Sequence, residues 1–151
     1  MRHTTVSAAA LGLVLAAGAA LADVSPAVEA RQGQFKLFAF NLGPMVQMAQ
    51  GNIEYDAEMA GTAAANLAAL VSVDQGRLWP EGSDNETIEG TRALPEIWMD
   101  LEDFATKFAD LQDSVANLDG AAGTDLDALR GTLGPVGAAC SACHEDYRAP
   151  E

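Results

Sequence analysis

Apolar side chains recur every three or four residues along four stretches of the chain, the spacing that places them on one face of an α-helix. The second stretch, about residues 56–73, is also rich in alanine, which favours helix and close packing. The first stretch covers about residues 26–50, with an apolar face made of Phe35, Phe38, Leu42, Met45 and Ala49. Both stretches therefore predict amphipathic helices.

Two further helices are predicted after a long polar loop at about residues 74–92. Glycine, proline and asparagine mark this segment as a loop, and its length in a compact domain predicts a functional role. The third helix begins near Pro95 and has the apolar face Ile97, Trp98, Leu101, Phe104, Phe108, Leu111, Val115 and Leu118. The fourth covers about residues 124–148, with the face Leu126, Leu129, Leu133, Val136, Cys140, Cys143 and Tyr147.

The order and spacing of these helices predict the fold class. Four helices joined by mostly short connections favour an all-α fold, an antiparallel up-down four-helix bundle. A Gly-Pro pair interrupts the first helix at Pro44 and the fourth at Pro135. Proline removes a backbone donor from a helix interior, so we expect a kink or a break at Pro44 and a kink at Pro135.

The N-terminal segment differs in composition from the rest of the chain. Arg2 and His3 form a short basic start, an Ala/Leu/Gly/Val run follows, and residues 20–22 (Ala-Leu-Ala) match a small-x-small cleavage pattern. This arrangement is typical of a secretory signal peptide and is too short to span a membrane comfortably. We therefore predict a cleaved signal peptide at residues 1–22 and a mature domain at residues 23–151. The mature protein is expected in the periplasm, without insertion in the membrane.

The charge of the chain limits its partners. The 151 residues contain 22 acidic and 8 basic side chains, for a net charge of −14. Removal of the predicted signal peptide takes away Arg2 and no acid, so the mature chain is more negative still. This charge argues against nucleic acid and anionic membrane surfaces as partners.

The candidate chemistry lies in residues 140–144, Cys-Ser-Ala-Cys-His. The chain has only two cysteines and two histidines, and cleavage would remove His3, leaving His144 as the one histidine. A disulfide redox pair, a zinc site and covalent haem attachment are the three possible interpretations. A redox pair works best at a helix N-terminus, whereas this motif lies near a helix C-terminus. A structural zinc site needs four ligands, and no further cysteine or histidine is available.

The motif C-x-x-C-H is the signature of covalent haem attachment. On a helix, positions 140, 143, 144 and 147 share one face. Two thiols can then join the two vinyl groups of one haem, while the imidazole of His144 lies under the iron. We favour one haem c per chain, attached through Cys140 and Cys143, over a disulfide and over zinc.

With these features the chain resembles the cytochromes c′, the class II c-type cytochromes. The resemblance covers residues 24–148. EARQGQFK (residues 29–36) is similar to the haem-contact segment of the family's first helix, and LWPEGS (78–83) to its aromatic-Pro-x-Gly loop. LPEIW (94–98) is similar to the start of the third helix, and VGAACSACHEDYR (136–148) to the haem-binding helix.

The resemblance implies specific roles at the C-terminal end of the chain. Cys140 and Cys143 would hold the haem, and His144 would be the proximal iron ligand. Arg148 would lie near the proximal imidazole. The family is also often dimeric, so the resemblance implies a homodimer, with the first two helices in the interface.

Further haem-pocket residues are implied on the first helix and the loop. Arg31 and Gln32 would lie near the haem propionates. Phe35 falls where the family places the side chain that covers the distal face of the iron. Trp79 and Trp98 would shape the pocket or the core.

The sixth coordination position of the iron determines the expected function. Relatives with a low-spin iron take a methionine from the first helix, where this chain has Phe35, which cannot ligate. Other internal candidates are Met45, Met48, Met59 and Met99, with Lys36 and Lys107 more remote. We therefore predict a five-coordinate, His-ligated iron that binds nitric oxide and carbon monoxide, with a further part in electron transfer to a redox partner protein.

Two other functions compete with gas binding. The alternative is a low-spin Met/His electron carrier similar to the cytochromes c-556. An enzyme, a haem peroxidase or a nitric oxide reductase, is least favoured, because no distal acid–base pair is visible in the sequence and the mature chain has no second histidine.

Overall fold

The computed structural model describes residues 18–150, with side chains from residue 26 onward. The chain forms α1 (Gly18–Ala49), α2 (Ala57–Val71), α3 (Glu96–Met99), α4 (Leu101–Asp119) and α5 (Leu126–Tyr147). The long helices α1 and α4 each pack against both α2 and α5, which closes a ring of four. The protein is therefore the predicted antiparallel four-helix bundle, with the short α3 as an addition.

Most of the predicted signal peptide lies outside the described residues, which begin at Gly18 within α1. None of the helices within residues 18–150 combines the length and the apolar character that a bilayer span requires.

Aspartates set where three of the long helices begin. Asp56 accepts a hydrogen bond from the Met59 amide at 2.9 Å, at the start of α2. Asp125 accepts one from the Ala128 amide at 2.8 Å, at the start of α5. Asp100 does the same for α4. Each carboxylate satisfies a backbone donor that the first helical turn leaves without a partner. As a result, α2 and α5 begin within two residues of their predicted starts.

The predicted third helix is divided in two. Asp100 leaves the helical conformation, with φ −142° and ψ 71°, and its side chain accepts from the Asp103 amide at 3.0 Å to begin a new helix. The prediction that Leu101 is buried was wrong, because this break turns its side chain outward and leaves it 52% exposed.

The two Gly-Pro pairs do not interrupt their helices. α1 continues through Pro44 and α5 continues through Pro135, so the break considered at Pro44 is absent. In each case the residue four positions earlier, Phe40 or Gly131, is exposed. Solvent can therefore take up the carbonyl group that proline leaves without a helical partner.

The apolar core fills the bundle on the side away from the C-terminus of α5. Its large, fully buried members include Met45, Met48, Leu67, Val115 and Leu118. A second, smaller cluster consists of Ala93, Ile97, Phe104 and Tyr147, with the two tryptophans and Cys143 packed against it. Between these two clusters lies the candidate site.

Candidate functional site

A cavity of about 600 Å³ opens between α1, α4, α5 and the loop that follows α2. The structure brings into its wall every residue that was predicted to contact the haem: Arg31, Gln32, Phe35, Trp79, Cys140, Cys143, His144 and Arg148. Trp98 lies behind this wall, where its indole N–H donates to the Trp79 carbonyl at 3.1 Å. The structure shows that the predicted haem-contact residues meet at one cavity. The role of each residue stays a prediction.

The two thiols are positioned by α5, where a three-residue spacing places both on one face. Cys140 and Cys143 are half-buried and unpaired. Burial raises the pKa of both thiols, and that of Cys143 reaches about 11. Thiols in this state are protonated at neutral pH, whereas disulfide exchange requires a thiolate. This environment argues against a redox pair.

His144 follows directly and lines the same cavity. Burial lowers the pKa of its imidazole, and the charges of Arg148 and Arg92 lower it further. The neutral imidazole, which is the metal-binding form, is thereby favoured. Among the side chains that the structure describes, those of residues 26–150, no three His, Cys, Asp or Glu are grouped to hold a metal ion.

A short clasp holds the end of α5 against the loop. The Leu94 amide donates to the Tyr147 carbonyl at 3.1 Å, and the Ala149 amide donates to the Arg92 carbonyl at 2.9 Å. The Arg92 guanidinium returns a hydrogen bond to the Ala149 carbonyl at 2.8 Å. Sequence reasoning missed Arg92, because no local pattern distinguishes it from a surface charge. The clasp fixes the segment that immediately follows His144.

Arg31 is the most extensively bonded side chain of the site. One of its terminal nitrogens donates to the Ser83 hydroxyl at 2.7 Å and to the Leu78 carbonyl at 3.2 Å. The other donates to the Ser83 carbonyl and to the Thr91 hydroxyl at 2.9 Å. The guanidinium also lies 4.6 Å from the ring centre of Trp79. These contacts fasten the loop to α1.

The charge of Arg31 is almost fully removed from solvent. The side chain is 2% exposed, and burial lowers its pKa to about 10, with the charge of Asp84 acting in the opposite direction. Arg31 is therefore still a cation at neutral pH. Its neighbour Gln32 donates to the Gly90 carbonyl at 2.7 Å. A contact of either residue with propionates stays a prediction, while their attachment of the loop is a finding.

The α1 side of the cavity is largely aromatic. Phe35 is 37% exposed and packs edge-on against Phe38, at 5.4 Å between ring centres, and against Trp79, at 6.2 Å. Met45 and Met48 belong instead to the main core, at 0% and 1% exposure. Among the residues that the structure describes, no methionine lines the cavity.

The basic side chains of the protein are concentrated around this cavity. Lining it are Arg31, Lys36, Arg92, Lys107 and Arg148, without any Asp or Glu among the described lining residues. In a chain of net charge −14, this is a marked separation of charge. A haem c fits the volume, the aromatic walls, the two neighbouring free thiols and the imidazole. The cations suit the two carboxylates of a haem.

Comparison with known proteins gives a consistent result. Residues 26–148 match the family described as "Cytochrome C′". A "Cytochrome c-554" of Cereibacter sphaeroides is 46% identical over 121 residues, which cover 80% of this chain and 91% of the relative. A "Cytochrome c′" of the same organism is 38% identical over 140 residues, which cover 93% and 94%.

Solved structures also resemble this fold. "Cytochrome c′ from Rhodobacter Spheriodes" superimposes with a TM-score of 0.82 at 36% identity, covering 85% of this chain and 98% of that one. The nitric oxide complex of a cytochrome c prime variant from Alcaligenes xylosoxidans superimposes with a TM-score of 0.74 at 35% identity, covering 85% and 97%.

Proposed function

The chain belongs to the cytochrome c′ family, and from that premise we propose that it is a periplasmic haem c protein whose five-coordinate iron binds nitric oxide and carbon monoxide. One observation carries the proposal. Cys140, Cys143 and His144 line a single cavity, and no methionine of the described chain joins them there. The nitric oxide complex of a related cytochrome c prime supports the class of ligand.

In this proposal α5 supplies both the attachment and the iron ligand. Cys140 and Cys143 would hold the haem through thioether bonds to its vinyl groups, and the neutral imidazole of His144 would be the iron ligand. Bound haem supplies an iron that takes a diatomic gas as its ligand. The clasp at Arg92 holds the end of α5, so that His144 keeps its orientation. Arg31 keeps the loop, and with it Trp79, against the cavity.

The distal wall favours nitric oxide and carbon monoxide over dioxygen. Bound dioxygen gains negative charge and requires a nearby hydrogen-bond donor, whereas the other two gases stay closer to neutral. His144 is the only histidine of the predicted mature chain, so no distal imidazole is available as a donor. Phe35 offers an aromatic ring instead.

The absorption spectrum of the purified protein tests this proposal. We expect a high-spin ferric spectrum, and a ferrous form that binds carbon monoxide. A low-spin ferric spectrum, with no binding of carbon monoxide, would instead support the Met/His electron carrier. The positions of the methionines argue against that carrier: Met45 and Met48 lie in the core, while Met59 and Met99 are 46% and 79% exposed.

Phe35→Ala is expected to speed the association of carbon monoxide with the ferrous protein. A gas that enters the distal side must displace the ring, and removal of about 1.4 kcal/mol of steric cost corresponds to roughly a tenfold faster rate. Flash photolysis or stopped-flow mixing measures this rate.

Phe40→Ala is the matched control for that experiment. Phe40 lies on the same helix but is 75% exposed and outside the cavity wall. The Phe40→Ala variant is therefore expected to bind carbon monoxide at the wild-type rate. If Phe35→Ala also binds at the wild-type rate, Phe35 does not gate the distal face.

Export and cleavage of residues 1–22 are part of the proposal. The intact mass of protein from the periplasmic fraction is expected to equal residues 23–151 plus one haem. A mass that includes residues 1–22 would contradict the signal peptide.

We also propose that the protein takes a further part in electron transfer and that it forms a homodimer. α1 exposes Leu37, at 48%, and α2 exposes Met59, at 46%. Apolar side chains at these positions would gain from burial against a second copy. Sedimentation of the mature protein measures its mass in solution, and a monomer at all concentrations would exclude the dimer.

A further inference from the structure

The protein has two tyrosines, whose hydroxyl groups form similar hydrogen bonds to very different acceptors. The Tyr55 hydroxyl donates to the Ala122 carbonyl at 2.8 Å. The Tyr147 hydroxyl donates to a carboxylate oxygen of Asp103 at 2.7 Å. A backbone carbonyl cannot take a proton from a phenol at neutral pH, whereas a carboxylate can accept one when the phenol loses an electron. Only Tyr147 therefore has a base as its partner.

The two tyrosines also differ in their position. Tyr147 lines the cavity, one helical turn after His144, and is 7% exposed. Tyr55 packs at the edge of the main core and does not belong to the cavity wall. Only Tyr147 therefore combines a basic partner with contact to the proposed haem site.

Tyr147 begins a chain of aromatic rings along the cavity wall. Its ring centre is 5.3 Å from that of Phe104, which is 4.8 Å from that of Trp79. Both contacts are edge-on, as aromatic pairs prefer. Tyrosine and tryptophan are the side chains of this chain of rings that can be oxidised by one electron at an accessible potential. Phe104 is the single ring between Tyr147 and Trp79, and it contacts both.

Asp103 gives the phenolic proton a route away from the cavity. Its side chain is 45% exposed, so it can exchange a proton with solvent. Lys107 lies 3.7 Å from the same carboxylate and 3.0 Å from that of Asp146. Burial, followed by the bond to Asp103, raises the pKa of Tyr147, so the phenol keeps its proton until it is oxidised.

We propose that Tyr147, with Asp103 as its proton acceptor, is a redox-active site that gives an electron to the haem site when hydrogen peroxide oxidises the protein. The inference rests on the haem attachment in the proposed function. It adds the reduction of hydrogen peroxide, a reaction that gas binding does not require.

The reaction balances with the two oxidisable rings as donors. Tyr147 loses one electron to the haem site and its O–H proton to Asp103. Trp79, whose indole N–H donates to the Gln75 side-chain oxygen at 3.4 Å, loses one electron, and its N–H proton passes from there to solvent. Hydrogen peroxide takes up two electrons and two protons, its O–O bond breaks, and two water molecules form. The products are a tyrosyl radical, a tryptophanyl radical and water, and the iron ends in the oxidation state in which it began.

Electron paramagnetic resonance of the haem-loaded protein, frozen shortly after addition of hydrogen peroxide, tests the inference. Protein grown with ring-deuterated tyrosine identifies the tyrosyl component, because deuteration narrows that signal alone. We expect a tyrosyl signal in the wild type, its loss in Tyr147→Phe, and a several-fold decrease in Asp103→Asn. Tyr55→Phe is the matched control and is expected to retain the full signal.

The possible outcomes separate this inference from the proposed function. A coloured wild-type protein without a tyrosyl signal overturns the inference alone, as does a full signal in Tyr147→Phe. Full signal in Asp103→Asn overturns the role of the carboxylate. Colourless wild-type protein overturns both the haem attachment and this inference. Haem content and thermal unfolding, measured on each variant, show that the substitutions leave the fold intact.

Discussion

Replacement of both Cys140 and Cys143 with alanine is expected to yield colourless protein that unfolds far more readily than the wild type. Without the two thioether bonds the cavity of about 600 Å³ loses the group that fills it. At ~24 cal/mol per Å³, such a void would lower the free energy of unfolding by at most ~14 kcal/mol. The cavity opens to solvent, so the actual cost is smaller. Domains have only about 5–15 kcal/mol of stability in total.

We expect the free energy of unfolding to decrease by at least about 5 kcal/mol, which corresponds to a decrease of about 20 °C in Tm for a domain of this size. Circular dichroism during heating measures it, and acid-acetone extraction shows whether colour stays on the wild-type polypeptide. Ser141→Ala, an exposed change within the same motif, is the control and should retain haem and stability. A stable, colourless double variant would contradict a structural haem and favour the thiol interpretation.

Arg31→Met is expected to destabilise the haem-loaded protein by about 3–5 kcal/mol, the usual cost of removing one partner from a buried charged network. The substitution leaves the Ser83 and Leu78 carbonyls and the Thr91 hydroxyl without the donor that they share. It also leaves the buried Asp84 without its neighbouring cation. Urea unfolding, followed by circular dichroism, measures the change in the free energy of unfolding.

Arg31→Lys distinguishes charge from geometry. Lysine keeps the positive charge but replaces a rigid fork of five donors with three donors on one nitrogen. We expect it to recover less than half of the loss. Arg77→Met, a change at an exposed arginine of the same loop, should stay within about 0.5 kcal/mol of the wild type. Wild-type stability in Arg31→Lys would mean that the hydrogen-bond geometry is unimportant.

The helices could be predicted from the sequence because their signals are local. Apolar spacing marked each buried face, and aspartates at positions 56 and 125 begin α2 and α5 close to the predicted residues. The break at Asp100 was overlooked for a physical reason. The apolar spacing continues from Ile97 to Phe104, and it conceals a capping residue that starts a second helix.

The sequence by itself determined the haem motif, because Cys140, Cys143 and His144 lie within little more than one turn of a helix. Their relative positions depend only on helical geometry. Tertiary structure alone decided the contacts around the motif. Arg31 meets Ser83 across 52 positions, Tyr147 meets Asp103 across 44, and Arg92 meets Ala149 across 57. The partners of such groups depend on how the loop folds over α1 and how α4 packs against α5, which no local pattern encodes.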